Sequence, residues 1–345
     1  MMTSMKRSFG RISRIARLAA ALATCALVMP LAACEGQVPQ TSAPAVKDSE
    51  VPDVTVAQEK KIRKTVIDLL NKASEAKSAE GIDSRLSGPE LEVRVSQLNI
   101  AHATGGEIDA HATIPNDVAQ VIIPTDNSWP RAIFSITTTT EDQQSKRLLV
   151  FRQDSARQNY KLWGLTRLFE NVSLPKFAVA HLGNEMGDVN DSNLVMTPKQ
   201  AVERYADVLQ NGTKSKYASS FSDDQLRQTL ATQAENVQQG VAANNGSQQQ
   251  TFTPVDGQIA VMRSTEGGDL VVAQINSDWI RSAGDGRESL PASNDEKALF
   301  GGATATSTIK ATYVNVVAMY IPLKSSGKPV SAVAAERQVI KVTPQ

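Results

Sequence analysis

Two imidazoles and two carboxylates lie close together in one short segment, at His102, Glu107, Asp109 and His111. Imidazole and carboxylate groups are ligands of many transition metals. A Gly-Gly pair after His102 predicts a turn, and the strand-like alternation that follows places Glu107, Asp109 and His111 on one face. A solvated strand face accounts for this pattern better than a metal centre does. We therefore expect no metal and no cofactor.

Serine-based hydrolase motifs are weak in this chain. Ser74 and Ser325 each precede a lysine with the spacing of the S-x-x-K motif of penicillin-recognising enzymes. That motif needs a helix start and a companion K-T-G motif, whereas Ser74 falls late in a predicted helix and Ser325 falls in a predicted turn. We predict no catalytic residue, although a pair of acidic side chains can act as acid and base without any linear motif.

The N-terminus has the composition of an export signal. A basic segment without acidic residues precedes an apolar stretch over residues 18–29. As a helix this stretch would be roughly 18 Å long, which is too short for a bilayer core of about 30 Å. It is followed by Leu31, Ala32, Ala33 and Cys34, and these four residues resemble the lipobox of bacterial lipoproteins.

The lipobox resemblance implies a signal peptide over residues 1–33, cleavage between Ala33 and Cys34, and acylation of Cys34. Two acyl chains give stable anchoring, because each buried methylene contributes about 0.8 kcal/mol. The expected location is the extracytoplasmic side of the cell membrane, with the membrane itself as a partner. The other cysteine, Cys25, would be discarded with the signal peptide, so the mature fold would contain no disulfide.

The charge balance argues against a nucleic-acid partner. The chain has 36 basic and 36 acidic residues, and five of the basic residues precede Cys34, so the mature chain carries a net charge of −5. A protein that binds nucleic acid needs a basic surface to neutralise phosphates. We expect no nucleic-acid binding.

Residues 34–53 are rich in Pro, Gln, Ser and Ala and predict a flexible tether. Beyond the tether, an apolar helical stripe recurs 136 positions later, a Ser-led helix start recurs after 135, and strand-like runs recur after 138. These offsets predict a duplication, with domains at 54–183 and 197–345 joined by a linker at 184–196. Two unrelated domains with the same order of elements remain the alternative.

Each predicted domain has one or two helices followed by an antiparallel meander, so the fold class is α+β. The second helix start in the second domain is assigned to Ser222 as N-cap, and residues 281–303 are assigned to a surface loop. Helices followed by a long-stranded sheet resemble the cystatin-like cone of NTF2-like domains. That resemblance implies a curved sheet on which the helices pack, often with a pocket between them.

The chain also resembles a family of actinobacterial membrane lipoproteins with an uncharacterised extracytoplasmic region. The resemblance rests on a Thr-Pro helix start at Thr197 and Pro198 with Tyr205 and Leu209 behind it. It implies no catalytic residues. We expect a non-catalytic binding or scaffold module whose partner is an envelope protein or a small ligand. A carboxylate-based enzyme in an NTF2-like cone and a solute-binding receptor are the alternatives.

Overall fold

The computed structural model describes residues 51–108, 112–126, 128–139 and 145–345. The elements in these ranges are α1 (Val56–Ala76), α2 (Gly88–Thr104), β1 (Val118–Ile122), β2 (Arg131–Thr137), β3 (Arg147–Gln153), β4 (Lys161–Leu168), α3 (Pro198–Asn211), α4 (Gln225–Ala242), β5 (Ser247–Arg263), β6 (Asp269–Ser282), α5 (Asn294–Phe300), β7 (Thr308–Ile321) and β8 (Ser331–Pro344). Within the described residues, no helix combines the length and the apolar character needed to cross a membrane.

The starts of α1 and α3 follow from local sequence. Thr55 forms a capping box with Gln58, in which each side chain bonds to the other residue's backbone N–H. Thr197 caps α3 by accepting a hydrogen bond from the backbone N of Gln200, and Pro198 occupies the first turn, where no N–H is needed. The Thr-Pro start predicted for the second half is therefore confirmed.

The predicted cap of α4 is two residues off. Asp224, and not Ser222, is the N-cap, and its side chain accepts from the backbone N of Arg227 at 2.9 Å. Ser222 belongs to the preceding extended chain, where its backbone N donates to Val330 O at 2.8 Å. Ser222 and Asp224 are both suitable capping residues, and the hydrogen bond of Ser222 to Val330, just before β8, leaves Asp224 as the cap.

All eight strands form one antiparallel sheet in the order β1-β2-β3-β4-β8-β7-β6-β5. Each half of the chain contributes a meander of four neighbouring strands. The meanders join where β4 pairs with β8, through Arg167 opposite Ala335 and Leu168 opposite Ala334. The α+β class and the antiparallel meanders are confirmed, but a division into two separate NTF2-like domains is not, because the sheet runs through both halves.

The sheet curls so that its two halves face each other. Trp163 on β4 donates its indole N–H to Gln258 on β5 at 2.8 Å, although three strands separate β4 from β5 in the sheet. Apolar side chains of both meanders meet in one core, with Phe134 and Val150 on one side and Val272 on the other. Each half therefore covers the apolar sheet face of the other half.

Helices α1, α3 and α4 cover the opposite faces of the meanders, whereas α2 contributes Val93 to the shared core. Leu70 of α1 packs in a core with Ile133 and Leu149, whose neighbours along β2 and β3 point into the shared core. On the second meander, Tyr205 of α3 and Leu230 of α4 pack in a further core with the strand residues of β5–β8. The period-2 alternation of the strands thus separates three apolar layers.

The segment predicted as a linker, 184–196, is packed against the sheet. Met186 pairs with Met262 and Leu194 pairs with Leu323 in isolated bridges. Leu194 is fully buried and Met196 is 6% exposed. This segment follows the surface of the sheet and is not an extended connection between two independent bodies.

Candidate ligand-binding groove

Of the four metal candidates predicted from the sequence, the structure describes only His102 and Glu107. His102 is exposed near the end of α2, and Glu107 is exposed three residues beyond the helix. Asp109 and His111 lie outside the described residues, as do the lipobox residues Leu31, Ala32, Ala33 and Cys34. In the part of the chain that the structure describes, no group of three or more His, Cys, Asp or Glu side chains is placed to hold a metal ion.

Two neighbouring cavities form a groove where the halves of the sheet join, which we call the seam groove. Its larger chamber, of about 710 Å³, lies between residues 169–176, the N-terminus of α4 and the β7–β8 connection. Its smaller chamber, of about 350 Å³, lies between α4 and the β4–β8 junction. Phe169 and Gln225 line both chambers, and the backbone N of Glu170 lies 3.4 Å from Gln225 Oε1.

A buried carboxylate forms part of the larger chamber. Asp224 is 6% exposed, and its Oδ1 accepts from the Tyr205 hydroxyl at 3.0 Å as well as from the start of α4. Its Oδ2 has no hydrogen-bond partner among the described residues. Burial raises the pKa of Asp224, and burial next to this carboxylate raises the pKa of Tyr205 well above its ordinary value.

The remaining wall of the larger chamber carries charges of both signs. Lys176 and Lys328 line it together with Glu170 and Glu266, and Lys176 Nζ lies 3.9 Å from Glu266 Oε1 at the exposed rim. Apolar contacts come from Leu174 and neighbouring residues. Such a mixed wall can bind a ligand that has both polar and apolar parts.

Two arginines line the smaller chamber. Arg167 Nε donates to Glu336 Oε2 at 2.8 Å, so this guanidinium is neutralised in part. Arg337 stacks on Tyr313, with its guanidinium carbon 3.5 Å from the ring centroid. The Nε and Nη2 atoms of Arg337 are buried and have no partner in the described ranges. Burial lowers the pKa of Arg337 because its charge is removed from water.

Glu296 of α5 is the acidic group behind Arg337. It accepts from Arg281 and from the Tyr313 hydroxyl, at 2.6 Å for the latter, and its Oε2 also accepts from the backbone N of Ala292 at 2.8 Å. Burial opposes the charged form, but the bonds from Arg281 and Tyr313 outweigh it and lower the pKa of Glu296. The carboxylate is therefore ionised and fully engaged.

No sequence pattern predicts the cluster of Arg281, Glu296, Tyr313 and Arg337. Glu296 lies within residues 281–303, the segment predicted as a surface loop, and the structure places the short helix α5 there. Ser293 caps that helix by accepting from the backbone N of Glu296, a start that the polar composition of the segment concealed. Arg337 reads as an ordinary polar position of an alternating strand. Only the fold shows that α5 packs on β8 and that Arg337 faces α4 across the smaller chamber.

Comparison with known proteins identifies a family without a known activity. The family model for a domain of unknown function, DUF8094, matches residues 50–344. The chain belongs to this family. No curated protein matches the chain, and no solved structure does. The matched region includes both meanders and every residue of the seam groove.

Two further buried ion pairs lie on the first two helices. Glu59 and Arg63 of α1 pair at 2.9 Å, and Ser135 of β2 donates to the same Glu59 oxygen. Glu90 and Arg94 of α2 pair at 3.3 Å, and burial raises the pKa of Glu90 to about 7. The first pair joins α1 to β2, whereas the second lies near Glu336 of β8. None of the four side chains lines a chamber of the groove, so both pairs contribute to the fold more than to a site.

Proposed function

We propose that this protein is a lipid-anchored module on the extracytoplasmic side of the cell membrane that binds an envelope protein or a small ligand without transforming it. The lipobox ending at Cys34 supports the anchor. The seam groove is the observation that carries the binding role. Its chambers, of about 710 Å³ and 350 Å³, fall in the size range of small-molecule sites.

The position of the groove supports binding at the junction of the two halves. Arg167 and Phe169 come from the first half of the chain, whereas Gln225 and Arg337 come from the second. Ligand sites often form between structural units, because each unit supplies one wall and the cleft remains between them. A ligand held here would contact both halves.

The anchor is tested by substitution of each cysteine in turn. We expect Cys34→Ala to be unprocessed or released from the membrane and to lose palmitate labelling, since the only other cysteine, Cys25, lies inside the predicted signal peptide. Cys25→Ala, in the predicted signal peptide, is the matched control and should behave as the native protein. Radiolabelled palmitate in the Cys34→Ala protein would contradict the proposal.

The groove is tested by photo-crosslinking in the producing cells. A benzoylphenylalanine side chain at Gln225 would extend from an exposed position into both chambers. The same side chain at Thr232, which is exposed on α4 and lines neither chamber, is the control. We expect a defined adduct at position 225 and none at position 232. Equal labelling at both positions, or none at either, would argue against a binding groove.

Asp224 favours a second candidate, an enzyme that uses a carboxylate. A buried carboxyl group with a raised pKa beside a cavity is suited to proton transfer. Asp224→Asn preserves the shape of the side chain, and exposed Asp223→Asn serves as the control. The enzyme hypothesis is supported if the adduct at position 225 contains an unchanged compound that accumulates only in the Asp224→Asn protein. Identical adducts in the native, Asp224→Asn and Asp223→Asn proteins support binding alone.

We also propose that the two meanders are related NTF2-like units that have merged their sheets. Each half begins with two helices and continues with four strands, and the second half adds α5 between β6 and β7. The apolar stripe of α1 recurs in α3, at Val66 and Leu70 in the first and at Val202 and Ala206 in the second, and all four side chains are buried. Superposition of β1–β4 with their helices on β5–β8 with theirs tests this relation.

A further inference from the structure

The buried cluster of Arg281, Glu296 and Arg337, which borders the smaller chamber through Arg337, has more positive than negative groups. Arg281 and Arg337 both lie near Glu296, and this single carboxylate already accepts from Arg281 and from Tyr313. Arg337 therefore has a ring beneath it but no carboxylate bonded to it among the described residues. Within the described residues, the cluster thus has two guanidinium groups and one carboxylate, which is bonded to Arg281.

Such an arrangement is unfavourable in a protein without a ligand. Removal of a charge from water has a large free-energy cost, which only a bonded counter-charge offsets. Two N–H donors of Arg337, on Nε and Nη2, lack acceptors in the described part of the chain. Buried donors in folded proteins nearly always have a partner, so these two point to an acceptor outside the described residues.

The surroundings of Arg337 suit an oxyanion. The guanidinium lies over the ring of Tyr313, and its Nε and Nη2 have no acceptor among the described residues, so both donors remain for an oxyanion. Arg167 lies across the same chamber, and Gln225 and Gln233 of α4 add amide donors to the wall. A guanidinium fork matches the geometry of carboxylate and phosphate oxygens.

We propose that the smaller chamber binds an oxyanion, a carboxylate or phosphate group, through Arg337, with Arg167 as a second cation. This rests on the proposed function, because it assigns ligand chemistry to the seam groove. A volume of about 350 Å³ accepts such a group together with a few carbon atoms. The rest of a larger ligand would pass Gln225 into the larger chamber.

The first test measures the melting temperature of the full chain, purified in a nonionic detergent. Inorganic phosphate and acetate are the probes, each compared with chloride at equal ionic strength. A ligand that binds only the folded state raises the melting temperature, here by roughly 2–4 °C once the anion is about tenfold above its Kd. If neither anion has an effect that chloride lacks, the proposal is overturned.

Substitution of Arg337 separates a binding role from a structural one. Arg337→Met removes the buried charge, so its melting temperature without an anion should equal or exceed that of the native protein, and the phosphate shift should vanish. Arg337→Lys keeps the charge but not the fork, and should need roughly tenfold more phosphate. A full phosphate shift in Arg337→Met would overturn the proposal, and so would a sharp loss of stability without the anion.

Arg131 provides a matched control. It also stacks on an aromatic ring, 4.3 Å from the centroid of Trp129, but it has a carboxylate partner, Asp53, at 3.2 Å. Arg131→Met should lower the melting temperature and leave the phosphate shift intact. Loss of the phosphate shift in this variant would mean that the effect is not local to the smaller chamber, against the proposal.

The source of the oxyanion is distinguished by a second pair of probes. Dihexanoyl phosphatidylglycerol and dihexanoyl phosphatidylcholine differ in net charge but share their acyl chains. Where phosphate or acetate has an effect, an additional shift with the phosphatidylglycerol but not with the phosphatidylcholine assigns a lipid headgroup. A shift with phosphate or acetate but with neither lipid assigns a free small anion. Both results support the oxyanion site. The crosslinking test at Gln225 decides separately whether the proposed function is correct.

One alternative occupant belongs to the chain itself. Glu141 and Asp142 lie outside the described residues, in the segment before Ser145, which lines the smaller chamber. If phosphate acts on the double variant Glu141→Gln, Asp142→Asn but not on the native chain, these carboxylates fill the site and the proposal is wrong. If native and double-variant proteins respond alike, the site is open to an external anion.

Discussion

Glu90 shows how burial changes the chemistry of a single side chain in this fold. It is 1% exposed, its partner Arg94 lies on the next turn of α2, and Glu336 adds like charge nearby. Burial is the main reason that its pKa rises from 4.5 to about 7, and Arg94 limits the rise. The protonated form is thus favoured in the folded state over a range of pH where the unfolded chain has already lost the proton.

This raised pKa predicts a pH dependence of stability. The protonated Glu90 side chain adds to the free energy of unfolding. This contribution is fully present below the unfolded pKa of about 4.5 and is lost as the pH rises through about 7. Between about pH 4 and pH 8 the free energy of unfolding of the native protein should fall by roughly 2–3 kcal/mol more than that of the Glu90→Gln variant, which has no proton to release at this position. Urea denaturation at both pH values measures the difference, and parallel curves for the two proteins would contradict it.

At the scale of the element, the two halves of α4 differ in how much of their surface is packed against the rest of the protein. Its N-terminal half is buried through Leu226 and Leu230 and is capped by Asp224, whereas most of the following residues to Ala242 are exposed. The helix nevertheless supplies walls to both chambers of the seam groove, including Gln225 and Gln233. Its stability therefore depends on its own backbone preferences more than on packing.

Gly240 lies in the weakly supported part of α4 and offers a direct test. A methyl group there would meet nothing within 4 Å, and Gly240 is not among the positive-φ glycines, so Gly240→Ala should stabilise the protein by about 0.5–1 kcal/mol. Gly212 is the control, since space is equally free but its φ is +56°. Gly212→Ala should destabilise. Denaturant unfolding measures both effects, and the same sign for both would refute the argument.

At the scale of the whole molecule, the continuous sheet predicts one cooperative unfolding transition. The β4–β8 pairing and the core shared by Trp163 and Val316 make each half incomplete without the other. In calorimetry of the full chain, the calorimetric and van't Hoff enthalpies for unfolding of residues 51–345 should agree. Two separate transitions would instead indicate that the halves fold as independent domains.

Limited proteolysis gives a second measurement at this scale. The sequence predicts early cleavage at residues 184–196, but the buried Leu194 and the Met186–Met262 bridge predict protection there. We expect cuts in residues 34–50 before any cut in 184–196. Rapid cleavage between Asn184 and Met196 in the folded protein would show that the segment is a linker after all.

The sequence alone determined the elements that depend on near neighbours. The start of α3 needs only Thr197, Pro198 and Gln200, which lie within four positions. Alternating strands and the α+β class follow in the same way, because side-chain direction has a fixed period along a strand. The lipobox is likewise a local pattern, and acylation of Cys34 remains a prediction from it.

The tertiary structure alone decided how the halves meet. Arg167 and Ala335 are far apart in the chain, and nothing in either strand specifies the other as its partner. The seam groove results from that pairing, and so does the position of Arg337, whose Nε and Nη2 have no hydrogen-bond partner among the described residues. The physical reason is that a strand's edge hydrogen bonds are the same for any partner. Which strands pair is set by the burial of apolar faces over the whole molecule.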